Sequence, residues 1–309
     1  MSFNQYTWDL YKQTTIGIEM IKYFSDAGGY VLFKDYCPYA NFIPEDLYND
    51  WLENIYCYGV SDYDHPSSLE EAKDLYISLI TLGIRVEGQQ WLPANDFKNM
   101  LGIIQPMSYV LSQFAPEYFF PYLFLCRIFE LNKIADFFNI DLPNIPKRTD
   151  YKGRCMYYWE LCEVFYLFRK ENGLSPADLW SFLYDFAPNN LPSEKIDMPK
   201  PSQVWFIGGR LYQEDKSLES KFWQSSPETK KGDILVHYET SPISAITCIE
   251  ISLTDGVIDP LFRYYGCIYI GNRINIPHIT LKELQTDEYF FKHPLVRKNF
   301  QGVNGWSVN

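Results

Sequence analysis

The chain has 309 residues, 47% of them apolar, which is enough for a sizeable core and lies near the length at which one core divides into two. Its 39 acidic and 27 basic side chains give a formal net charge of -12, which excludes a protein that holds nucleic acid by bulk positive charge. An aromatic content of 18% excludes a disordered chain. We therefore expect a folded protein with two domains.

Cysteine usage and the N-terminal sequence indicate the compartment. The seven cysteines are odd in number and scattered, as is typical of reduced, buried thiols. The first fifteen residues contain no basic segment followed by an apolar one, and polar residues and a proline interrupt the uncharged stretch 99–116. We therefore expect a cytoplasmic protein that is neither secreted nor membrane-spanning.

Charge and proline content both change near residue 200. Residues 1–200 carry 16 basic and 27 acidic side chains, a balance of -11, whereas 201–309 carry 11 and 12, a balance of -1. Pro192, Pro199 and Pro201 interrupt the periodic patterns at the same place. The sequence therefore predicts a mainly helical domain over 1–188, a linker over 189–202 and a second domain over 203–309.

Helical signals dominate the first domain. Ser67 and Ser68 each stand three residues before a glutamate, and apolar residues then recur at three- and four-residue steps until Gly83. Ser175 and Pro176 begin a second capped helix. The patterns predict helices over 14–26, 45–56, from Ser68 to Gly83, over 118–138 and 154–170, and from Ser175 to before Pro188, with a short strand over 30–33 and an extended connector over 141–146.

The second domain follows the period of strands. Short β-branched or aromatic segments, bounded by Gly, Pro, Ser or Asp, cover 204–208, 233–238, 245–251 and 267–271. Several strands in so short a span are typical of a small barrel or a strongly curved sheet. The predicted fold class is therefore α+β, with a mainly helical domain followed by a small curved β-barrel.

Common catalytic and metal-binding motifs are absent from the sequence. It contains no Gly-rich nucleotide loop, no HExxH, GxSxG or CxxC, and no HxH. The four histidines (His65, His237, His278 and His293) are widely separated, and we interpret them as surface or locally hydrogen-bonded side chains. Cys155 and Cys162 share a helix face with apolar residues, which favours packing. We expect no metal and no cofactor.

The order of features from residue 203 onward resembles the PUA-like superfamily, and within it the EVE, YTH and ASCH branches. In these domains a short strand with a central aromatic residue, here 204–207 with Trp205, opens the fold. A helix often ending near a Trp follows, where Phe222 and Trp223 stand, and then a Lys-Gly-Asp turn at 231–233 begins a core strand ending in an aromatic residue, here Tyr238. The similarity covers 203–252 well and 262–309 loosely.

The resemblance implies a PUA-like, EVE-type reader that holds a modified or flipped base of DNA or RNA in an aromatic pocket. Stacking alone stabilises such a base by roughly 1–3 kcal/mol, so a protein without bulk positive charge can still bind it. The residues expected at this pocket are Trp205, Trp223, Tyr238, Ser241 and Ser244. For the three aromatic residues, core packing is the alternative interpretation.

Basic residues of the second domain are candidates for contacts with the phosphate backbone. These are Lys230, Lys231, Arg263, Arg273, Arg297 and Lys298, for which a solvated surface is the alternative. The acidic helical domain is expected to dock a protein partner or to self-associate. Because readers of this kind are often paired with restriction or phage-defence systems, the resemblance also implies a role in recognising modified DNA.

Two other functions remain open at this stage. The first is an enzyme whose active site lies in the helical domain, with Arg154, Glu160 and Glu163 on one predicted helix as candidate residues. The second is a structural adaptor with a degenerate pocket. We favour the binding module because nothing in the spacing of those three residues requires chemistry.

Overall fold

The computed structural model describes residues 3–192, 198–209, 220–262 and 266–308. The chain divides into two compact units, one comprising Met1–Ser193 with Pro260–Tyr264 and the other comprising Glu194–Asp259 with Tyr265–Asn309. The helical region and the curled sheet that follows it make this an α+β protein, which confirms the predicted fold class. The predicted linker over 189–202 lies partly outside the described residues and stays a prediction.

The first unit is built from helices and one hairpin. Its α-helices are α1 Gln5–Gln13, α2 Thr15–Asp26, α3 Gly29–Tyr36, α4 Glu45–Ile55, α5 Leu69–Leu82, α6 Phe97–Met100, α7 Ile104–Phe114, α8 Ile128–Phe138, α9 Tyr151–Glu171, α10 Pro176–Ser181 and α11 Ala187–Asn190. Short 3-10 segments cover Pro38–Phe42 and Leu101–Ile103, and π-helical turns cover Tyr56–Val60 and Phe182–Phe186. Strands β1 Ile84–Val86 and β2 Gln89–Leu92 form the antiparallel hairpin.

The two helices with predicted capping residues begin at those residues. Ser68 is the N-cap of α5, and its hydroxyl accepts a hydrogen bond from the Glu71 backbone N–H. Ser175 forms a complete capping box with Asp178 at the start of α10. Two predictions were wrong: 30–33 belongs to helix α3, and 118–127 is not helical. The helix expected to end before Pro188 instead continues through a π-helical turn into α11.

The second unit contains most of the strands of the protein. These are β3 Val204–Gly209, β4 Ser220–Ser225, β5 Ile234–Glu239, β6 Ala245–Ser252, β7 Val257–Ile258, β8 Gly266–Thr280 and β9 Trp306–Ser307, with helices α12 Leu281–Thr286 and α13 Pro294–Arg297 before the last strand. The order across the sheet is β4-β8-β6-β5-β3-β9, with β7 paired to β8. The strand β3 runs parallel to β5, whereas the other pairs are antiparallel.

The segment that carries Phe222 and Trp223 was predicted as a helix and is instead strand β4. It pairs along its whole length with β8, and Trp223 lies opposite Ile268. Its two aromatic side chains favour a sheet. The strand with which it pairs, β8, is distant in the sequence, so no local pattern reveals the pairing. The helix expectation came from the resemblance and was wrong.

The sheet is curled into a half-barrel. The strands β3 and β4 are not neighbours in the strand order, yet the Trp223 ring lies so close to Gly209 that a Cβ there would stand 2.8 Å from its Cζ2. Only a residue without a side chain allows this approach. We call the face that carries Trp205 and Trp223 the concave face, and the opposite face the convex face.

The two faces have separate cores. On the concave face, Trp205 packs with four buried aliphatic side chains, and Trp223 packs against this cluster (the aliphatic members are Ile207, Leu235, Ile268 and Ile270). On the convex face, Phe206 and Tyr238 pack with side chains of α12 and α13 and the segment that follows them. Adjacent residues of a strand point to opposite faces, which places Trp205 and Phe206 in different cores.

Among the described residues, no helix combines the length and the apolar character that crossing a bilayer requires.

The segment Pro260–Tyr264 groups with the helical unit, although the predicted second domain ran without interruption from 203 to 309. Within the helical unit, buried Arg154 donates from Nε to the carbonyl oxygen of Pro260 at 2.8 Å. Because a buried guanidinium needs acceptors, this hydrogen bond helps to explain why the segment that begins at Pro260 groups with the helices.

Candidate site on the concave face of the sheet

Trp205 is a structural residue of the concave face. Its ring is 6% exposed, and its Nε1–H donates to Oδ2 of Asp233 at 2.9 Å. The buried Asp233 carboxylate also accepts from the backbone N–H groups of Ser202, Gln203 and Lys230 and from the Ser202 hydroxyl. Burial alone would raise the pKa of Asp233, but these donors outweigh it and lower the pKa below its usual value. The Lys-Gly-Asp turn thus joins the entry of β3 to that of β5.

Trp223 lies at the edge of this core, beside a buried histidine. Its ring is half-buried and meets the His237 ring edge-to-face, with centroids 4.8 Å apart. His237 is fully buried and directs Nδ1 to Oε2 of Glu250 at 3.2 Å. Its Nε2 has no hydrogen-bond partner among the described residues. An unpartnered buried polar atom is costly, and native proteins retain few of them.

A buried carboxylate connects His237 to the exposed end of the concave face. Glu250 is 2% exposed, and its Oε1 accepts from Nε of Arg273 at 2.9 Å and from Nη2 at 2.8 Å. Burial would raise the pKa of Glu250, but the hydrogen bond and charge of His237 and the charge of Arg273 outweigh it and lower the pKa. The Arg273 side chain is 29% exposed. Glu250 therefore fixes a guanidinium whose Nη1 group has no partner among the described residues.

His237, Glu250 and Cys248 form a buried cluster of groups that could in principle bind a metal ion. One ligand atom from each lies within 4.8 Å of the other two. Both carboxylate oxygens of Glu250 already accept hydrogen bonds, one from His237 and one from Arg273. Burial raises the pKa of the Cys248 thiol to about 11, which opposes the thiolate that a metal requires. The arrangement therefore matches a hydrogen-bonded ion-pair network better than a metal centre.

Tyr238 lies on the convex face. Its ring stacks on Phe300 with centroids 3.9 Å apart and an interplanar angle of 4°, and it is 3% exposed. Burial raises the pKa of Tyr238, and a hydrogen bond with the Ser244 side chain offsets part of that effect. Phe300 thus covers the ring face that a base would need. Ser241 is exposed in the turn between β5 and β6 and lies in neither core cluster.

The predicted pocket residues are therefore divided between two faces. Trp205 and Trp223 lie on the concave face, whereas Tyr238 and Ser244 lie together on the convex face. No described cavity has Trp205 and Tyr238 as opposite walls, because they project from opposite sides of the sheet. Of the aromatic residues expected at the pocket, Trp223 alone is half-buried, while Trp205 and Tyr238 are buried.

The basic candidates lie in separate places. Lys230 pairs through Nζ with Asp255 at 3.3 Å, and the backbone N–H of Lys231 donates to the same carboxylate. Arg297, the last residue of α13, and Lys298, which follows it, are both exposed, and the Lys298 ammonium lies 5.6 Å from the centroid of the Trp306 ring. Trp306 is itself 37% exposed. Arg273 lies in β8 beside Glu250, as described, and Arg263 lies outside the described residues.

The candidate residues of the alternative enzyme site lie on α9 without forming a common site. Arg154 is buried and donates to the backbone carbonyl oxygens of Pro260 and Arg148. Burial and the neighbouring Glu163 raise the pKa of Glu160. Glu163 pairs instead with Lys73, with a nitrogen–oxygen distance of 3.6 Å. These contacts are structural, and no described contact joins Arg154 to either glutamate.

Sequence reasoning missed Glu250 and assigned His237 no role. The register pairs His237 with Cys248 across two strands and brings Arg273 from β8 to Glu250. Glu250 is the one charged residue of the strand Ala245–Ser252, and this was the available signal, because strands buried on both faces rarely carry a charge. Comparison with protein-family models, curated proteins and solved structures finds no match to this chain, so the site is interpreted from its own geometry.

Proposed function

We propose that the second unit is a PUA-like module that binds DNA or RNA and holds one modified or flipped base beside Trp223, with Arg273 reading the base edge. The observation that carries the proposal is the continuous set of contacts from Trp223 through His237 and Glu250 to Arg273. It joins a half-buried aromatic ring to an oriented guanidinium. Stacking surfaces and fixed donors are what recognition of an unstacked base requires.

Arg273 is suited to reading acceptor atoms. The donors of a guanidinium lie in one plane. In Arg273, the contacts of Nε and Nη2 with Glu250 fix the orientation of that plane. The Nη1 group, which has no partner among the described residues, can then donate to the acceptors of a guanine edge or to an oxygen of a modified base. A guanidinium held in place in advance loses less conformational freedom on binding than a free side chain.

Phosphate contacts would come from local charge. Lys298 lies beside Trp306, and Arg297, the residue before it, is also exposed; cations next to an aromatic ring suit a single-stranded backbone. The net charge of -12 opposes non-specific binding to duplex. We propose that the acidic helical unit docks a protein partner or a second copy, and that the protein serves in restriction or phage defence; the latter rests on the resemblance alone.

The proposal is tested on the full-length protein by fluorescence anisotropy against single- and double-stranded oligonucleotides with and without modified bases. For the tightest oligonucleotide, Arg273→Lys keeps the charge but removes the planar fork, and we expect affinity to fall about tenfold. The matched control, Arg297→Lys, should change affinity by less than about twofold, because a phosphate contact needs only a charge.

Trp223→Leu separates stacking from packing in the same assay. We expect loss of roughly 1–3 kcal/mol of binding free energy, the range measured for one stacked base. The midpoint of urea unfolding, followed by circular dichroism, reports any loss of stability in the same variant. Unchanged affinity of Arg273→Lys and Trp223→Leu for a confirmed ligand would refute this site. If no oligonucleotide binds the wild-type protein, the adaptor alternative is favoured.

A further inference from the structure

The convex face carries a cleft that the proposed base site does not use. Its volume is about 320 Å³, near the lower end of the range for small-molecule sites. Phe206 and Ile246 of the sheet and Leu284 of α12 contribute buried walls. At the mouth, Ile279 is 39% exposed and Phe290 is half-buried. The cleft thus leaves apolar surface in contact with water, and an apolar occupant would cover it.

Two carboxylates lie at this cleft, Glu283 and Asp287. Oε2 of Glu283 accepts from the backbone N–H and hydroxyl of Thr280, each at 2.7 Å, in a capping box. Oδ1 of Asp287 accepts from the backbone N–H groups of Tyr289 and Phe290, each at 2.9 Å. Each carboxylate therefore keeps one oxygen, Oε1 or Oδ2, without a hydrogen-bond partner among the described residues.

The charge at the mouth is uncompensated. Glu283 and Asp287 are four residues apart, and neither forms an ion pair with a described cation. Like charges at this spacing repel each other, and a cation between them would relieve that repulsion. None of the residues that line the cleft is basic. An anion would therefore meet repulsion from both carboxylates, whereas a cation would be attracted by both.

We propose that this cleft binds a small organic cation, a primary ammonium group on a short hydrocarbon body. The hydrocarbon lies against Phe206, Ile246 and Leu284, and the ammonium donates to Oε1 of Glu283 and Oδ2 of Asp287. The three hydrogens of a primary ammonium suffice for both carboxylates and leave one for water. This inference is independent of the nucleic-acid proposal, since it involves the opposite face of the sheet.

The test uses full-length protein with ¹³C-labelled isoleucine δ1 methyl groups, titrated separately with n-hexylammonium, n-hexanol and n-hexanoate. These probes share a chain and differ in charge. We expect saturable shifts of the Ile246 and Ile279 methyl signals, with n-hexylammonium binding about fivefold more tightly than n-hexanol, since two exposed charge contacts contribute modestly. The anion n-hexanoate should bind most weakly.

Variants separate charge from shape. Glu283→Gln with Asp287→Asn keeps the accepting oxygens of the capping box and turn while removing both charges. Affinity for n-hexylammonium should fall to that for n-hexanol, which should be unchanged. Glu288→Gln, an exposed neighbour outside the cleft, is the control and should change neither affinity. Ile279→Trp should weaken all three ligands by filling the mouth.

Two results would overturn the proposal. One is binding of n-hexanoate as tight as that of n-hexylammonium in the wild-type protein, because it would show that charge does not select the ligand. The other is the absence of saturable shifts at the Ile246 and Ile279 methyl groups with every probe. Neither measurement involves nucleic acid. Failure of the organic-cation test therefore leaves the base-reading proposal unaffected, and failure of the oligonucleotide test leaves the organic-cation proposal unaffected.

Discussion

Two buried carboxylates, Asp233 and Glu250, hold neighbouring segments of the second unit together through hydrogen bonds. Asp233 accepts five hydrogen bonds and Glu250 holds both His237 and Arg273. A buried charge is tolerated only when its lone pairs are matched by donors in this way. Trp205, expected to face a ligand, is one of the donors to Asp233, so its indole N–H serves the fold.

Replacing Asp233 should destabilise the second unit strongly. Asp233→Asn removes the charge and turns one acceptor into a donor that faces the N–H groups of Ser202, Gln203, Trp205 or Lys230. We expect unfolding free energy to fall by about 2–4 kcal/mol, measured from urea unfolding. Asp255→Asn, in the neighbouring exposed turn, is the matched control and should cost about 1 kcal/mol or less. Equal losses would contradict the role given to Asp233.

The same residue predicts a pH dependence. The pKa of Asp233 is lowered in the folded protein, so its ionised form stabilises folding above the unfolded value of about 3.9. That contribution is lost as the pH falls through the folded pKa. The stability difference between wild type and Asp233→Asn should therefore be greatest at neutral pH and shrink on acidification below about pH 4. Urea unfolding at several pH values tests this, and a difference that grows on acidification would contradict it.

Thiol reactivity should follow burial. Cys57 is exposed, whereas Cys155, Cys162 and Cys248 are buried, with pKa values raised by burial to about 12, 12 and 11. Because the thiolate is the nucleophile, iodoacetamide at pH 8 should label Cys57 first and the buried three only on unfolding. Peptide mass spectrometry measures the order, with a urea-unfolded sample as control. Early labelling of Cys248 would show that the concave face opens readily.

At the scale of elements, local capping determines where some helices begin, whereas pairing with distant segments determines the conformation of some strands. Helix α10 begins at Ser175 because its side chain and that of Asp178 satisfy each other's backbone N–H groups. Strand β4 has no comparable local signal, and its pairing with β8 decides its conformation. The strand prediction at 30–33 failed because these residues belong to helix α3, where Leu32 and Phe33 are buried; tertiary packing outweighed the strand preference of the segment.

Removing the α10 cap should cost a moderate amount of stability. Ser175→Ala leaves the Asp178 backbone N–H without its acceptor, and we expect a loss of about 1 kcal/mol in the unfolding free energy of the helical unit. Ser175→Asp keeps an accepting oxygen and should recover most of that loss. Urea unfolding followed by circular dichroism at 222 nm compares them. An alanine variant as stable as wild type would show that packing alone holds α10.

At the scale of the whole molecule, the two compact units are not contiguous in sequence. Pro260–Tyr264 belongs to the helical unit although the surrounding chain belongs to the sheet. A fragment ending at residue 192 therefore lacks the Pro260 carbonyl that accepts from buried Arg154. We expect the unfolding free energy of this fragment to be about 1–3 kcal/mol lower than that of the same unit in the intact chain, so that its urea midpoint is lower. Equal midpoints would show that Pro260 contributes nothing to that unit.

Much of the fold was determined by the sequence itself. The capping residues Ser68 and Ser175 predicted α5 and α10, the charge and proline pattern predicted a change of architecture near residue 200, and the β-branched runs predicted β3, β5 and β6. These signals are local: a cap, a helical period or a strand period needs only a few neighbouring residues.

The candidate site depended on the tertiary structure. Trp205 and Tyr238 both match pocket positions of the family in the resemblance. Trp205 pairs with Leu235, however, and Tyr238 lies three residues further along the same strand, so strand alternation places the two rings on opposite faces. Glu250 meets His237 and Arg273 only because three strands pair in one register. Register and curl are set by the packing of distant segments, and that packing decides which rings are covered and which charge remains exposed.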